Sequence, residues 1–282
     1  MYIIPDTENL LKEYYKKISD IFFNLINQMN LDEKYKKQIM QCNQHPYTHY
    51  LIKQILNNNI SSSEILEMLK KLESIPKTDT LNINKGNILV SQEQWLVSDE
   101  ETRGVDLIVD NSIDVEMLQN TFDDHYNYAV NAIGDTWKKF TTPIKTVTYI
   151  NVPGLDSIPF FSGSNSYLFG AICCSPQTKS WITAEVLTHE SAHFWLFLIE
   201  ENNQDMAING WDDNIFYSPW REDPRPIMGL IHGIYVFSAV ASSLWACYDN
   251  SDLKTDPKQE ILNRICFLVE QVKCGLKEIE KS

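Results

Sequence analysis

The stretch TAEVLTHESAHFWLF, Thr183–Phe197, decides what this chain builds and which chemistry it can carry. Apolar residues on nearly every side predict a buried helix from Trp181 to Glu200. His189 and His193 are four residues apart, so they lie within about 6 Å of each other on one helix face. Histidines and carboxylates in such a helix cost free energy unless they are paired or bind a metal. The stretch therefore predicts a metal site, and the alternative is an ordinary helix with two satisfied histidines.

A third ligand has to come from elsewhere in the chain, because two histidines do not complete a metal site. The metzincin extension would need Gly and His where this chain has Leu196 and Ile199. The uncharged run Pro226–Tyr248 contains His232, 39 residues after His193. A lone histidine in an apolar helix is usually a satisfied core residue. Because two ligands here await a third, we predict that His232 coordinates the metal.

Two arginines stand out in an otherwise acidic region. Between residues 180 and 253 the only basic side chains are Arg221 and Arg225, in the loop SPWREDPRP. Pro226 suits the first position of the helix that follows, so Arg225 is predicted on the same helix face as His232, about 10 Å away along the axis. An arginine there can bind the far carboxylate of a 2-oxo diacid that chelates the metal. The alternative is a salt bridge within the loop.

Three ordered blocks carry a family resemblance: HESAH at His189–His193, YSPWREDPRP at Tyr217–Pro226 and GLIHGIYVF at Gly229–Phe237. In these blocks the chain resembles the HExxH-motif peptide-modification proteins, the αKG-HExxH enzymes associated with ribosomally made, modified peptides. The resemblance is strongest over residues 183–240, about a fifth of the chain. Residues 1–80 carry no motif that matches.

The resemblance implies an oxygenase that uses Fe(II), 2-oxoglutarate and O₂ to hydroxylate a β-carbon of a residue in a ribosomal precursor peptide. It also implies a fold other than the cupin barrel. The iron ligands under this hypothesis are His189, His193 and His232. Arg225 holds the distal carboxylate of 2-oxoglutarate, with Arg221 as its substitute or as a substrate contact. Glu190 orients a ligand, a bound water or the substrate.

Two other functions compete with this one. The first is a zinc metallopeptidase in which Glu190 is the general base on a zinc-bound water. For either enzyme, the strand predicted at Tyr167–Cys174 resembles a sheet edge to which an extended peptide adds. The second is a non-catalytic peptide-binding or scaffold module with a structural metal. It is disfavoured because closed structural sites usually have four protein ligands.

Periodicity predicts a helix-rich α+β fold in which a small mixed sheet packs against the buried HExxH helix. Strands are predicted at Asn87–Val90, Ile144–Val152 and Tyr167–Cys174, and helices at Val115–Ile133, Trp181–Glu200, Pro226–Tyr248 and Pro257–Glu280. Residues 1–80 form a helical N-terminal region that either docks a peptide or forms a homodimer. Residues 81–282 form the metal-dependent catalytic domain.

Charge and composition exclude some functions. The chain has 24 Lys+Arg and 38 Asp+Glu, a formal charge of −14, which argues against nucleic acid as a partner. No secretory signal and no C-x-x-C pair are visible, so we expect a cytoplasmic protein with free thiols. The uncharged run is long enough to span a bilayer. Its glycines, serines and histidine, and the lack of a second such run, favour a buried helix and no membrane partner.

Overall fold

The computed structural model describes residues 7–29, 31–57, 60–84, 86–94, 108–109, 111–151, 161–202, 215–250 and 258–281. The chain falls into two compact units. Residues 5–119 and 142–176 make the sheet unit, and residues 120–141 and 177–282 make the helical unit. Residue 80, the predicted domain boundary, lies inside the sheet unit. The predicted division into an N-terminal helical region and a catalytic domain stays a prediction.

The sheet unit begins with helices α1 (Thr7–Gln28), α2 (Glu33–Ile39), α3 (Pro46–Leu56), α4 (Ser62–Ser74) and α5 (Lys77–Asn84), and a short 3-10 helix at Met40–Cys42. The apolar face of α1 is buried, including Ile18 and Phe22. α4 begins with a capping box, in which the backbone N–H of Ser61 donates to the Glu64 carboxylate at 2.7 Å. Local sequence patterns therefore specify these helices.

A small mixed sheet completes the unit. Its strands are β1 (Leu89–Ser91), β2 (Ile108–Val109), β3 (Thr146–Asn151), β4 (Ser162–Ser164) and β5 (Ala171–Cys174). Their order is β1-β3-β5-β4, and β2 pairs with β3. The pairs β1–β3 and β3–β5 are parallel, whereas β4–β5 and β2–β3 are antiparallel. The predicted helix-rich α+β class with a small mixed sheet is confirmed.

The strand predicted at Tyr167–Cys174 is shorter than expected and is not a sheet edge. Only Ala171–Cys174 form β5, because the residues before it make a turn that ends at Gly170 with φ of 96°. A Cβ at Gly170 would lie 3.1 Å from the carbonyl oxygen of Pro143, so the turn is closely packed as well. β5 has β3 on one side and β4 on the other. The prediction of a substrate-pairing edge at β5 is therefore wrong, and among the described residues β4 is the end strand.

The helical unit contains residues 120–133 of α6 (Val115–Ile133), α7 (Asp135–Phe140), α8 (Ser180–Asn202), α9 (Ile227–Asp249) and α10 (Lys258–Ile279). A short antiparallel pair, β6 (Ile215–Phe216) and β7 (Arg225–Pro226), precedes α9. α9 packs against both α8 and α10. The long helices begin and end within two residues of their predicted bounds. The predicted packing of the sheet on the HExxH helix stays a prediction.

Within the described part of the chain, α9 is the one helix long and apolar enough to cross a membrane. Of its most apolar 18-residue window, 39% is buried in the protein. The predicted absence of a membrane partner stays a prediction.

The cysteines form no disulfide: all six are free, as expected. Four of them are buried, and Cys266 and Cys274 on α10 are exposed.

A buried lysine lies at the start of β3 in the sheet unit. Lys145 is only 6% exposed, and its ammonium nitrogen lies 5.2 Å from the ring centroid of Tyr15. The imidazole of His49 stacks on Tyr14 and packs edge-on against Tyr15. Burial lowers the pKa of Lys145 from 10.5 to about 8. The folded protein therefore holds this proton less tightly than the unfolded chain does.

Replacing Lys145 by Met should stabilise the protein at pH 7. A lowering of the pKa by about 2.5 units corresponds to a cost of about 3 kcal/mol for burying the charge. That cost is present below pH 8 and disappears as the pH rises towards 10.5, because there the unfolded chain binds more protons. In urea unfolding, the free energy of unfolding of Lys145→Met should be higher than that of wild type at pH 7. The difference between the two proteins should be smaller at pH 9.

Lys71→Met is the matched control, because Lys71 also lies over a tyrosine ring, 5.8 Å from the centroid of Tyr47, but is exposed. It should change the free energy of unfolding by no more than about 0.5 kcal/mol. A Lys145→Met protein that is less stable than wild type at pH 7 would contradict the buried-charge account.

Candidate metal centre

Helix α8 is held in place by the indoles of two buried tryptophans. Trp195 Nε1 donates to the carbonyl oxygen of Phe140 at 2.9 Å, and Trp137 Nε1 donates to Thr188 Oγ1 at 2.8 Å. Buried indole N–H groups need such partners. Both bonds join α8 to α7, so the HExxH residues sit on a helix whose position is fixed by hydrogen bonds as well as by apolar packing.

An ion pair between a buried carboxylate and a half-buried guanidinium joins α8 to α10. The Glu185 carboxylate, 1% exposed, accepts hydrogen bonds from Arg264 Nε at 3.0 Å and Arg264 Nη2 at 2.5 Å. Burial raises the pKa of Glu185, and the hydrogen bonds and charge of Arg264 oppose that rise. The pKa of His189 is lowered to about 4, mainly by burial and to a smaller extent by the charge of Arg264. Arg264 therefore compensates the buried carboxylate and favours a neutral His189.

The HExxH histidines face each other. His189 Nε2 and His193 Nε2 are 3.3 Å apart. Two imidazole nitrogens that bind one metal ion at about 2.0–2.1 Å in a tetrahedral arrangement lie about 3.3 Å apart. Burial lowers the pKa of His193 to about 3, so both rings are neutral at pH 7. Neutral imidazole is the form that binds metals. This pair fits two positions of a metal site.

Glu190 lies next to this pair. It is 1% exposed, and its negative charge opposes the lowering of the His193 pKa. Its carboxylate therefore acts on the His193 ring, which is compatible with orienting a ligand or with acting on a metal-bound water.

His232 lies next to His193, but its nitrogens do not face the space between the Nε2 atoms of His189 and His193. Its Nδ1 lies 3.4 Å from Nδ1 of His193, on the other nitrogen of that ring from the one facing His189. Its Nε2 lies 2.5 Å from Glu200 Oε1. Across the described ranges, no three His, Cys, Asp or Glu side chains are arranged to hold a metal ion. The predicted third ligand does not fit that position in this arrangement.

Sequence reasoning missed Glu200, and a signal for it was present. Glu200 follows His193 by seven residues, nearly two helical turns, so both lie on the same face of α8. The carboxylate partner of His232 therefore belongs to the same helix as the HExxH motif.

The two arginines of the loop both meet Asp223. Arg221 Nε lies 3.2 Å from Asp223 Oδ1, and Arg225 Nε lies 3.3 Å from Asp223 Oδ2. This is the salt bridge within the loop that was the alternative interpretation. Arg225 also lies in β7 rather than on the helix, because α9 begins at Ile227 and Pro226 is its N-cap. The prediction that Arg225 shares a helix face with His232 is therefore wrong.

Trp220 anchors the arginine loop between two helices. A Cβ at Gly233 of α9 would lie 2.5 Å from Trp220 Cε3, and a Cβ at Gly275 of α10 would lie 2.7 Å from Trp220 Cη2. The indole also stacks on Phe237, with centroids 5.3 Å apart, and Phe237 packs edge-on against His189 at 5.0 Å. Because Gly233 and Gly275 have no side chains, the indole of Trp220 fits between α9 and α10 and positions this loop.

Comparison of the sequence with protein-family models and with curated proteins finds no match. The function has to be argued from the chemistry of the site and from the motif resemblance.

Replacing Gly233 by Ala should destabilise the protein. The new methyl group would overlap the rigid indole of Trp220, which has Gly275 on its other side, and overpacking of this kind costs about 1–3 kcal/mol. Urea unfolding measures the loss.

Gly229→Ala is the matched control on the same helix, because its Cβ would lie 3.4 Å from the Cβ of Arg225, an ordinary contact. That change should be neutral or stabilising by up to about 1 kcal/mol, since Ala favours helix more than Gly. Equal stability of the two variants would show that Trp220 is not wedged between the helices.

Proposed function

We propose that this protein is an Fe(II)- and 2-oxoglutarate-dependent oxygenase that hydroxylates a β-carbon of a residue in a ribosomal precursor peptide. The observation that carries the proposal is the pair of neutral, half-buried imidazoles of His189 and His193, with Nε2 atoms 3.3 Å apart. Imidazole suits Fe(II) as well as zinc. The resemblance in the three motif blocks is the reason for proposing iron as the metal and 2-oxoglutarate as the co-substrate.

The residues of the helical unit have distinct roles under this proposal. His189 and His193 hold the iron through Nε2. Bound iron, together with 2-oxoglutarate and O₂, supplies the oxidising chemistry. Arg225, with Arg221 beside it, holds the distal carboxylate of 2-oxoglutarate by exchanging its contact with Asp223 for one with the co-substrate. A guanidinium binds either carboxylate through the same N–H donors. Glu190 orients a bound water or the substrate.

The apolar surroundings support this assignment. Phe237 and Phe197 lie against the two histidine rings, with centroids 5.0 Å from His189 and 6.1 Å from His193. Such side chains exclude water from the reacting centre and protect it from side reactions. We further propose a cytoplasmic enzyme without a cupin barrel, whose partners are the precursor peptide and O₂, with the N-terminal helices docking the peptide or forming a homodimer.

The test is anaerobic reconstitution with Fe(II), followed by 2-oxoglutarate, a candidate precursor peptide and O₂. We expect succinate to form and the peptide to gain one oxygen atom, both only when 2-oxoglutarate is present. Succinate measured without peptide tests the co-substrate chemistry separately. Peptide cleavage by the zinc-loaded protein, with no succinate from the iron-loaded one, would overturn the proposal.

Arg225→Ala should raise the 2-oxoglutarate concentration needed for half-maximal succinate formation by about 10- to 100-fold. A hydrogen bond to a charged group contributes about 1.5–3 kcal/mol, which corresponds to that range. Arg225→Lys keeps the charge but not the planar pair of donors, so it should recover part of the loss.

Arg221→Ala is the matched comparison, because Arg221 contacts the other oxygen of the same Asp223 and its side chain is more exposed, 43% against 30%. It should have the smaller effect. An unchanged requirement for 2-oxoglutarate in Arg225→Ala would remove Arg225 from the co-substrate site.

A zinc metallopeptidase is the second candidate, favoured by one observation. The nearly inaccessible Glu190 carboxylate acts on His193, as a general base beside a two-histidine zinc site would. Under that function Glu190→Gln abolishes cleavage of a peptide by the zinc-loaded protein, and Arg225→Ala leaves cleavage unchanged. Under the oxygenase proposal Glu190→Gln still forms succinate.

A further inference from the structure

A second group of buried polar side chains lies in the sheet unit and includes no residue of the candidate metal centre. Lys145 Nζ lies 5.2 Å from the ring centroid of Tyr15, and the same ring packs edge-on against His49, with centroids 5.5 Å apart. Burial, and then the charges of His45 and Lys145, lower the pKa of His49 to about 3. Lys145, Tyr15 and His49 are therefore close neighbours, and we call them the Lys145 cluster.

The charge of Lys145 has no counterion in the part of the chain that the structure describes. The side chain is 6% exposed, and burial is the one cause that shifts its pKa, so no described carboxylate stabilises the charged form. Buried charges in proteins are normally paired. A buried charge that lowers stability without an acidic partner is typical of a binding or catalytic site.

Two further polar atoms of the cluster lack hydrogen-bond partners among the described residues. The Tyr15 hydroxyl and His49 Nε2 are both buried, although buried polar groups are nearly always hydrogen-bonded. His49 Nδ1 lies 3.3 Å from the hydroxyl of Tyr14. When that hydroxyl donates to Nδ1, the proton of neutral His49 is on Nε2. The cluster then has three donor groups without acceptors: the ammonium, the Tyr15 hydroxyl and Nε2–H of His49.

The backbone holds the lysine in place. The N–H of Lys145 donates to the carbonyl oxygen of Gly170 at 2.7 Å, and the carbonyl oxygen of Lys145 accepts from the N–H of Leu89 at 3.0 Å. A Cβ at Gly170 would lie 3.1 Å from Lys145 Cγ, so the glycine leaves room for the stem of the lysine. His49 is fully buried on α3. Groups that are fixed in this way bind a ligand without a further loss of conformational entropy.

We propose that Lys145, Tyr15 and His49 form a binding site for a small oxyanion, which is a carboxylate or a phosphate group. The oxygens of such a ligand accept from all three donor groups, and its negative charge compensates the ammonium. A cation or a ligand with donors alone does neither. The burial of the cluster restricts the ligand to a small molecule or ion. This inference is independent of the proposed oxygenase, because the two sites share no residue.

The test is urea unfolding of the full chain at pH 7 in increasing sodium acetate or sodium phosphate, with sodium chloride keeping the ionic strength constant. An anion that binds only the folded protein stabilises it by mass action. Each tenfold increase in anion concentration above its dissociation constant should lower the unfolding equilibrium constant of wild type about tenfold. The two anions distinguish a carboxylate from a phosphate ligand. Acetamide, which resembles acetate but is neutral, should have no such effect.

Lys145→Met separates binding at the cluster from the general effect of salts on stability. This variant should be more stable than wild type without the anion, and it should lose the response to the anion. Lys71→Met is the control, because Lys71 lies over the ring of Tyr47 but is exposed. It should respond to the anion as wild type does. Equal responses of Lys145→Met and wild type, or no response of wild type to either anion, would overturn the proposal.

Tyr15→Phe tests the hydroxyl alone, because it keeps the ring that lies under the ammonium. A hydrogen bond to a charged group is lost, so the dissociation constant of the anion should rise by about 10- to 100-fold. Tyr47→Phe is the matched control on the ring below Lys71 and should leave the dissociation constant unchanged. An unchanged dissociation constant in Tyr15→Phe would contradict the assignment of the anion to this cluster.

Discussion

Burial of polar side chains in the apolar helix α8 is the constraint from which the rest of the helical unit follows. A carboxylate or an imidazole inside such a helix costs several kcal/mol unless a partner compensates it. Glu185 is compensated by Arg264, which requires α10 to pack where its guanidinium reaches α8. His193 contacts both His189 and His232, and the second contact requires α9 to place His232 beside it. The packing of these three helices thus satisfies buried polar groups and assembles the site at the same time.

A second constraint is steric and concerns the arginine loop. The indole of Trp220 fits between α9 and α10 only because Gly233 and Gly275 have no side chains. Phe237 connects that indole to His189 through ring contacts. The loop that carries the arginines is therefore positioned by the same helices that carry the histidines. The WREDPR segment and the glycines of two distant helices form one packing unit.

Local patterns predicted the secondary structure well wherever the partner of each residue lies a few positions away. The predicted helix Val115–Ile133 is observed with the same bounds. Strand positions were predicted less well, because a strand is defined by what pairs with it. The residues before Ala171 are β-compatible in composition, but a tight turn at Gly170 removes them from the sheet.

By itself, the sequence determined the pairing of His189 and His193, because helical periodicity brings residues four apart together whatever surrounds them. The sequence also places Glu200 seven residues after His193, a spacing that puts both residues on the same face of α8. Only the tertiary structure decided which nitrogen of His232 meets His193, and that Asp223 takes both arginines. The physical reason is that these contacts depend on where a loop ends and how two helices pack. No spacing along a single element contains that information.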